Sequence, residues 1–366
     1  MSDKNTANLK AQKVFNPKVI NRGLVWFLSI SVISLVGIFL YTNTGNTIAV
    51  WKKINPVYFL VAIIFIANDL YLGAWRNHIF VREFYPGKSI WISIKANLAN
   101  IFMGAVTPSQ SGGGLAQFYV FYKNGVSIQN AITISFINWI STLIFFPVSG
   151  IIAYYIIRDN IPSGFINHLA KFGFSVFTTL FIVVIFGLFF PDLIGILVEK
   201  ISRLIGKLNK KWSDTLHNFG VKARASLVDY RDKCITLLKD KPYLMLLSFL
   251  LTIILYLNKY FLAYIIILAL DTDANIAVVI AVQAIIYLLL YFAPSPGGSG
   301  IAELSIAGLM AGVIAEDYIG TFTLLQRSFL VFIPAIIGAF VALRELNKET
   351  TKELGISASP QKKRPD

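Results

Sequence analysis

The sequence predicts an all-α polytopic membrane protein of two inverted structural repeats, each carrying a re-entrant helical hairpin broken by Pro and Gly. Three observations lead there. Apolar residues make up 56% of the chain and charged residues 14%, with a mean hydropathy of +0.66, far from the composition of soluble domains. A Pro/Gly-rich stretch occurs twice, 186 positions apart. The basic residues then follow the positive-inside tendency if each broken run turns back within the membrane.

In chain order, residues 1–23 form a polar, basic N-terminus expected in the cytoplasm. Residues 24–190 form a first transmembrane half whose repeat core spans about 56–158. Leu24 to Tyr41 is long enough to cross and reads as an uncleaved anchor, because its polar lead is too long for a secretory signal. Pro56 to Ala74 is the next span, with Pro56 suited to a first helical turn. Trp75 and Arg76 stand at its end, and Arg82 and Lys88 make the following loop basic. Ile90 to Val106 leads into the first Pro/Gly stretch and Leu115 to Tyr122 leads away from it. Ile128 to Ile157 must tilt or extend beyond the hydrocarbon, and Phe172 to Phe190 is a further span.

Residues 191–241 change character. Leu193, Leu197, Ile201, Leu204 and Leu208 recur at helical spacing opposite Lys200, Arg203 and Lys207, describing a basic amphipathic cytoplasmic linker on the membrane surface. The second half, 242–344, repeats the plan with Tyr243 to Leu270, Ile276 to Phe292, Ile301 to Ala315 and Tyr318 to Leu343. Residues 345–366 read as a disordered cytoplasmic tail.

The repeated stretch is TPSQSGGGLAQ (Thr107 to Gln117) over APSPGGSGIAE (Ala293 to Glu303). Pro108 falls on Pro294, Ser109 on Ser295, Gly112 on Gly298, Gly114 on Gly300, and Gln117 on Glu303. The same shift places Pro56 on Pro242 and Arg158 on Arg344, which points to an internal duplication. Pro removes an amide donor and Gly leaves backbone uncovered, so such a break inside hydrocarbon needs protein or a water-filled cavity around it. Breaks at corresponding positions of two halves mark a transporter's binding site. Ordinary turns at the membrane surface are the alternative.

Parity separates the topologies. If every long apolar run crosses, five crossings precede Pro191 and put the basic linker opposite the basic N-terminus. If Ile90 to Val106 enters, turns and returns, four remain, and N-terminus, linker and tail share the cytoplasm. Asp271, Asp273, Glu316 and Asp317 then lie outside; Lys52, Lys53, Arg158 and Lys171 are the exceptions.

Several function classes are disfavoured. The lone Cys234 excludes an intramolecular disulfide, and the scattered His78, His168 and His217 give no metal cluster, so no cofactor is expected. The net charge of +14 sits in loops beside apolar runs, where it meets anionic headgroups rather than nucleic acid. No G-x-x-x-x-G-K-[ST] motif is present, leaving movement downhill, ion-coupled or partner-driven.

Ionisable groups at membrane depth face a cavity or a partner, and Asp69, Lys95, Lys259, Glu303 and Arg327 are the candidates. Arg327 or Lys259 is expected to pair with Glu303 or to bind a lipid phosphate, with a structural pair as the alternative. Substrate binding is assigned to these two cations and to the repeated stretches: Thr107, Pro108, Ser109, Gly112, Gly113, Gly114 and Gln117 in the first, Pro294, Ser295, Pro296, Gly297, Gly298, Gly300 and Glu303 in the second. Amides after each Gly cluster open a helix and favour an anion such as phosphate. Asn97, Asn100, Asn138 and Gln283 serve headgroups or helix packing.

The second stretch, P-x-P-G-G-x-G followed by Glu (Pro294, Pro296, Gly297, Gly298, Gly300, Glu303), resembles the flippase-like integral membrane family that includes the transmembrane portion of lysylphosphatidylglycerol synthases, over roughly Asn16 to Asn347. The resemblance implies movement of lipids between leaflets, aminoacylated phosphatidylglycerol in the best-known members. It departs in two ways. The aminoacyl-transferring domain is expected to be missing, and Ala302 stands where the family commonly has Arg. The resulting expectation is a lipid translocase, not an enzyme, in the cell (inner) membrane, moving an anionic or aminoacylated phospholipid or a polyprenyl-phosphate-type lipid. Its partners would be membrane lipids, and a homo-oligomer is allowed. The rivals are a membrane enzyme acting on lipid phosphates, with Glu303 and Ser295 or Ser299, and a small-solute or ion transporter.

Overall fold

Caps and prolines set where the helices begin. The computed structural model describes residues 17–41, 47–157, 239–291 and 293–353, with scattered positions between 175 and 237, and all of its regular structure there is helical. The first part contains α1 (Pro17–Tyr41), α2 (Thr47–Lys52), α3 (Pro56–Phe84), α4 (Ile90–Val106), α5 (Ser111–Lys123) and α6 (Ile128–Ile157). The second contains α7 (Pro242–Ala269), α8 (Ile276–Leu290), α9 (Ile301–Met310), α10 (Glu316–Arg327) and α11 (Ile333–Glu353). Asn55 caps α3 by accepting the Val57 amide at 3.0 Å, with Pro56 in the first turn. Ser89 caps α4 and Asn275 caps α8 in the same way. The starts of α3 and α7, and of α4 and α8, are each separated by the 186 positions of the sequence repeat.

Among the described residues, five helical stretches are long and apolar enough to cross a membrane: Ile20–Tyr41, Pro56–Phe84, Ile128–Ile157, Pro242–Ala269 and Glu316–Ala342. α4 and α8 have 17 and 15 residues. At about 1.5 Å per residue they extend about 26 and about 23 Å, less than the roughly 30 Å of a hydrocarbon core. The last crossing is interrupted by a π-turn at Ser328–Phe332, directly after Arg327. Pro334 accounts for it, since it lacks an amide and its ring would clash with the carbonyl four residues back.

Packing is reciprocal between the halves. α3 lies against α7; α4 packs on α11 while α8 packs on α6; and the turns Pro108–Gln110 and Pro296–Gly298 touch each other. We call these turns tip 1 and tip 2. Phe146, Leu143, Ile266, Ile286 and Phe322 centre one apolar core, and Phe80, Met103, Phe121 and Ile134 a second. α1 lies outside the repeat and packs on α4, α9, α10 and tip 2. Its Phe27 explains one glycine: a Cβ on Gly297 would stand 2.6 Å from the Phe27 ring, and φ there is +58°.

Several boundaries differ from those read in the sequence. α3 continues well past Ala74, so Arg76 and Arg82 are helical residues rather than loop residues. α5 begins at Ser111 and α9 ends at Met310. α11 runs to Glu353, into the stretch read as a disordered tail. The span Phe172 to Phe190 and the amphipathic linker lie largely outside the described residues.

The tips also correct the register of the repeat. Ser109 and Gln110 have φ of 50° and 55°, and Gly297 and Gly298 have 58° and 69°. Pro108-Ser109-Gln110 is therefore the conformational equivalent of Pro296-Gly297-Gly298, two residues beyond the Pro294 on which the sequences align. A left-handed conformation costs a non-glycine residue about 1–2 kcal/mol, partly offset on substitution by the greater freedom glycine has when unfolded. Ser109→Gly is thus expected to stabilise by up to about 1 kcal/mol, and Gly297→Ala to destabilise, in thermal unfolding of the purified protein. A lower midpoint for Ser109→Gly would refute the strain.

Candidate functional site

Where the tips meet, the bundle forms a partly open cavity in two adjoining chambers, the smaller with a mainly apolar wall and the larger with a wall of mixed polar and apolar character. The smaller, about 240 Å³, is lined by Lys259, Tyr287, Gly297, Gly298, Gln326 and Arg327 among others. The larger, about 690 Å³, is lined by Arg76, Asn97, Ser109, Gly114, Gln117 and Thr142 among others. Asn100, Gln110, Tyr256 and Tyr291 belong to both walls.

Tip 2 is held by ions. Glu303, in the first turn of α9, is wholly buried. Its Oε2 accepts the Gly300 amide at 2.6 Å, and its Oε1 accepts Arg327 Nε at 2.9 Å. Ser31 Oγ, from α1, lies 2.9 Å from both Glu303 Oε1 and Ser299 Oγ. Arg327 Nη2 donates to the Gly297 carbonyl at 3.1 Å, and its guanidinium sits 5.6 Å from the Phe332 ring centre. Ser295 Oγ closes the turn on the Ser299 carbonyl at 2.7 Å. One ion pair thus satisfies a donor and an acceptor at the break, which apolar surroundings require.

Tip 1 is held without charge. Thr107 Oγ1 donates to the Met103 carbonyl at 2.5 Å and accepts the Gly112 amide at 2.9 Å. A Cβ on Gly113 would meet the Asn100 carbonyl at 2.8 Å, so glycine lets α5 lie close against α4. The Gly112 and Gly300 amides are therefore taken by the chain itself and are not open to phosphate.

Arg327 pairs with Glu303, but Lys259 does not. Lys259 reaches Asp69 across the α3–α7 contact, 2.6 and 2.7 Å from its two oxygens. Beside them Asn68 donates to Asn258 at 2.8 Å. Lys95 pairs with Glu345 at 3.1 Å. Gln283 meets Gln326 at 2.5 Å. Asn138 donates to Asn77 at 2.8 Å and accepts from Ser248 at 2.9 Å.

Of the sequence candidates, Ser109, Gly114, Gln117, Lys259, Gly297, Gly298 and Arg327 line the cavity. Thr107, Gly112, Gly113, Ser295, Pro296, Gly300 and Glu303 instead shape or close the tips, Pro296 by giving its carbonyl to Ser299. Pro108 and Pro294 are exposed. Sequence reasoning missed Ser31 and Arg76. Nothing distinguishes Ser31 from other serines of α1; Arg76 had a signal, since it follows Asp69 by seven residues, two helical turns along one face, with apolar Ile79 to Val81 beyond it. Among the described residues no cluster of His, Cys, Asp or Glu is placed to hold a metal ion.

Two comparisons bear on this architecture. The family described as the lysylphosphatidylglycerol synthase TM region matches residues 26–338. A protein named UPF0104 membrane protein, from Archaeoglobus fulgidus, is 24% identical over 304 residues, covering 82% of this chain and 89% of that protein.

Removing one partner of a buried pair strands the other. Arg327→Ala or Glu303→Gln is expected to destabilise by about 3–5 kcal/mol, and the double replacement by much less than the sum, read from unfolding midpoints. Additive losses would show that the two side chains act separately.

Proposed function

Because the chain belongs to the lysylphosphatidylglycerol synthase TM region family, we propose that it is a lipid translocase, passing the headgroup of an anionic or aminoacylated phospholipid or a polyprenyl-phosphate-type lipid between leaflets while the acyl chains stay in the bilayer. One observation carries the reading: two helix breaks, one from each half, touch each other beside a cavity whose wall carries cationic and carboxamide side chains. Such breaks at membrane depth are tolerated where they line a cavity, and paired breaks in repeated halves lie at transport sites.

The shortness of α4 and α8 supports hairpins that enter and return to one side. With that, the halves run inverted, and the N-terminus, linker and C-terminus share the cytoplasm of a multi-pass protein in the cell membrane. The engagement of Glu303 supports transport over catalysis. Both its oxygens are occupied, one by two donors, so it has no free edge for acid–base work on a lipid phosphate.

Reconstitution tests the proposal. Liposomes carrying the protein should exchange labelled phosphatidylglycerol or an aminoacylated derivative between leaflets at least about tenfold faster than protein-free liposomes, with the lipid chemically unchanged. Folded protein that accelerates no lipid would sink the translocase. Flux of a soluble ion or solute without lipid exchange would favour the small-solute transporter.

A further inference from the structure

Three cations stand at the cavity, and they are not equivalent. Lys259 is held by both oxygens of Asp69, and Arg327 by Glu303. Arg76, on the wall of the larger chamber, has no carboxylate within 4 Å among the described residues. Asp69, two turns away on the same helix, is about 10 Å along the axis and already committed to Lys259. Among the described residues, three positive groups and two carboxylates leave the cavity with one uncompensated positive charge.

The guanidinium is also incompletely bonded. It carries five N–H donors in a fixed fork. Nη1 donates to Thr142 and Thr252, each at 3.1 Å, which fixes the plane of the group. Among the described residues Nε has no partner and Nη2 makes no hydrogen bond. The Nε–Nη2 edge is the one that grips two oxygens of a phosphate. Nε is shielded from solvent, so an incoming anion meets Nη2 first and engages both after a small shift of the side chain. Around it the chamber is lined by carboxamides and a hydroxyl that bond one another or the backbone and keep acceptor oxygens to spare, among them Asn97, Asn100, Gln117 and Ser135, and by Trp139 and Tyr256. Those groups suit a hydroxylated, uncharged remainder. The described wall of this chamber contains no Asp or Glu to receive an ammonium group.

From this we infer that Arg76 is the phosphate-binding residue of the larger chamber, and that its ligand is a phosphate ester of net single negative charge with a polyol-like remainder, not one bearing an added cationic aminoacyl group. The inference deepens the translocase proposal and rests on it only for the movement of the ligand after binding. An aminoacyl group such as lysyl would bring positive charge into a chamber that already holds a positive excess, where like charges repel with little screening.

Lipid retention tests it. The full-length protein, in nanodiscs containing phosphatidylglycerol, lysylphosphatidylglycerol and phosphatidylcholine in equal amounts, is released into the gas phase and its bound lipid weighed. The wild type is expected to keep phosphatidylglycerol about tenfold over the other two. Arg76→Gln should reduce that preference to within about twofold, and Arg76→Lys, which restores charge without the fork, should recover part of it. Glycerol 3-phosphate added before release separates two sources of the same chemistry. Displacement assigns recognition to the headgroup alone; persistence assigns it to headgroup and acyl chains together; either supports the site. Equal retention of the lysylated lipid by the wild type, which needs no variant to fold, would overturn the inference. So would an unchanged preference in folded Arg76→Gln. The exchange assay separates the two proposals: selective retention without exchange removes the translocase and leaves the site, and exchange indifferent to headgroup and to Arg76 does the reverse.

Discussion

A helix interrupted in an apolar interior exposes amide and carbonyl groups that no water covers, and each costs about 1–3 kcal/mol if left unpaired. This protein meets that constraint twice, with different chemistry. At tip 2 a carboxylate takes the Gly300 amide, a guanidinium takes the Gly297 carbonyl, and the two then neutralise each other. At tip 1 the Thr107 hydroxyl accepts one backbone amide and donates to a carbonyl, and the Ser111 hydroxyl donates to the Pro108 carbonyl. The charged solution binds α1, α9 and α10 together through Ser31, Glu303 and Arg327, whereas the neutral one stays within its own hairpin. Tip 2 is correspondingly buried at Gly298 and Ser299, and tip 1 is exposed from Pro108 to Ser111.

Reciprocal packing follows from the same constraint. A short arm cannot cover its own break, so each leans on a longer helix of the other half, α4 on α11 and α8 on α6. The α3–α7 contact closes the arrangement, and there the Asp69–Lys259 pair and the Asn68–Asn258 amides link the two halves. α1 adds a cover to tip 2 that tip 1 lacks. Phe27 fills the space beside Gly297, and Ser31 gives Glu303 a further donor.

Much of this plan was legible in the sequence because it is local or periodic. Pro56 and Pro242 open matching helices, Ile90 and Ile276 open matching arms, and the Gly clusters mark the breaks. The Arg327–Glu303 pairing could be anticipated from two ions placed too deep to remain alone. Less legible was whatever depends on which faces meet. Lys259 could have served Glu303 or Asp69, and only the α3–α7 contact decides. The tips align through Pro-Ser in sequence yet superpose through Pro108 and Pro296 in conformation, because backbone angles follow the left-handed pair after the proline rather than residue identity. Arg76 looked like the basic flank of a span ending at Ala74, since a window of apolar residues stops there although the helix does not.

The ions then divide by what each one faces. A cation at the centre of a membrane helix costs roughly 2.5–3.5 kcal/mol on insertion scales, and a chain that retains several must recover that cost for each. Arg327 recovers it through Glu303 and the tip 2 backbone, and Lys259 through Asp69, so both are explained by the folded protein alone. Arg76 recovers only what two threonine hydroxyls return, and hydroxyl dipoles do not neutralise a charge. It stands on the wall of the larger chamber, where the phosphate inferred above would supply the countercharge that the bundle does not. The clamp that makes the broken helix at tip 2 tolerable and the cation left facing the larger chamber are thus different residues.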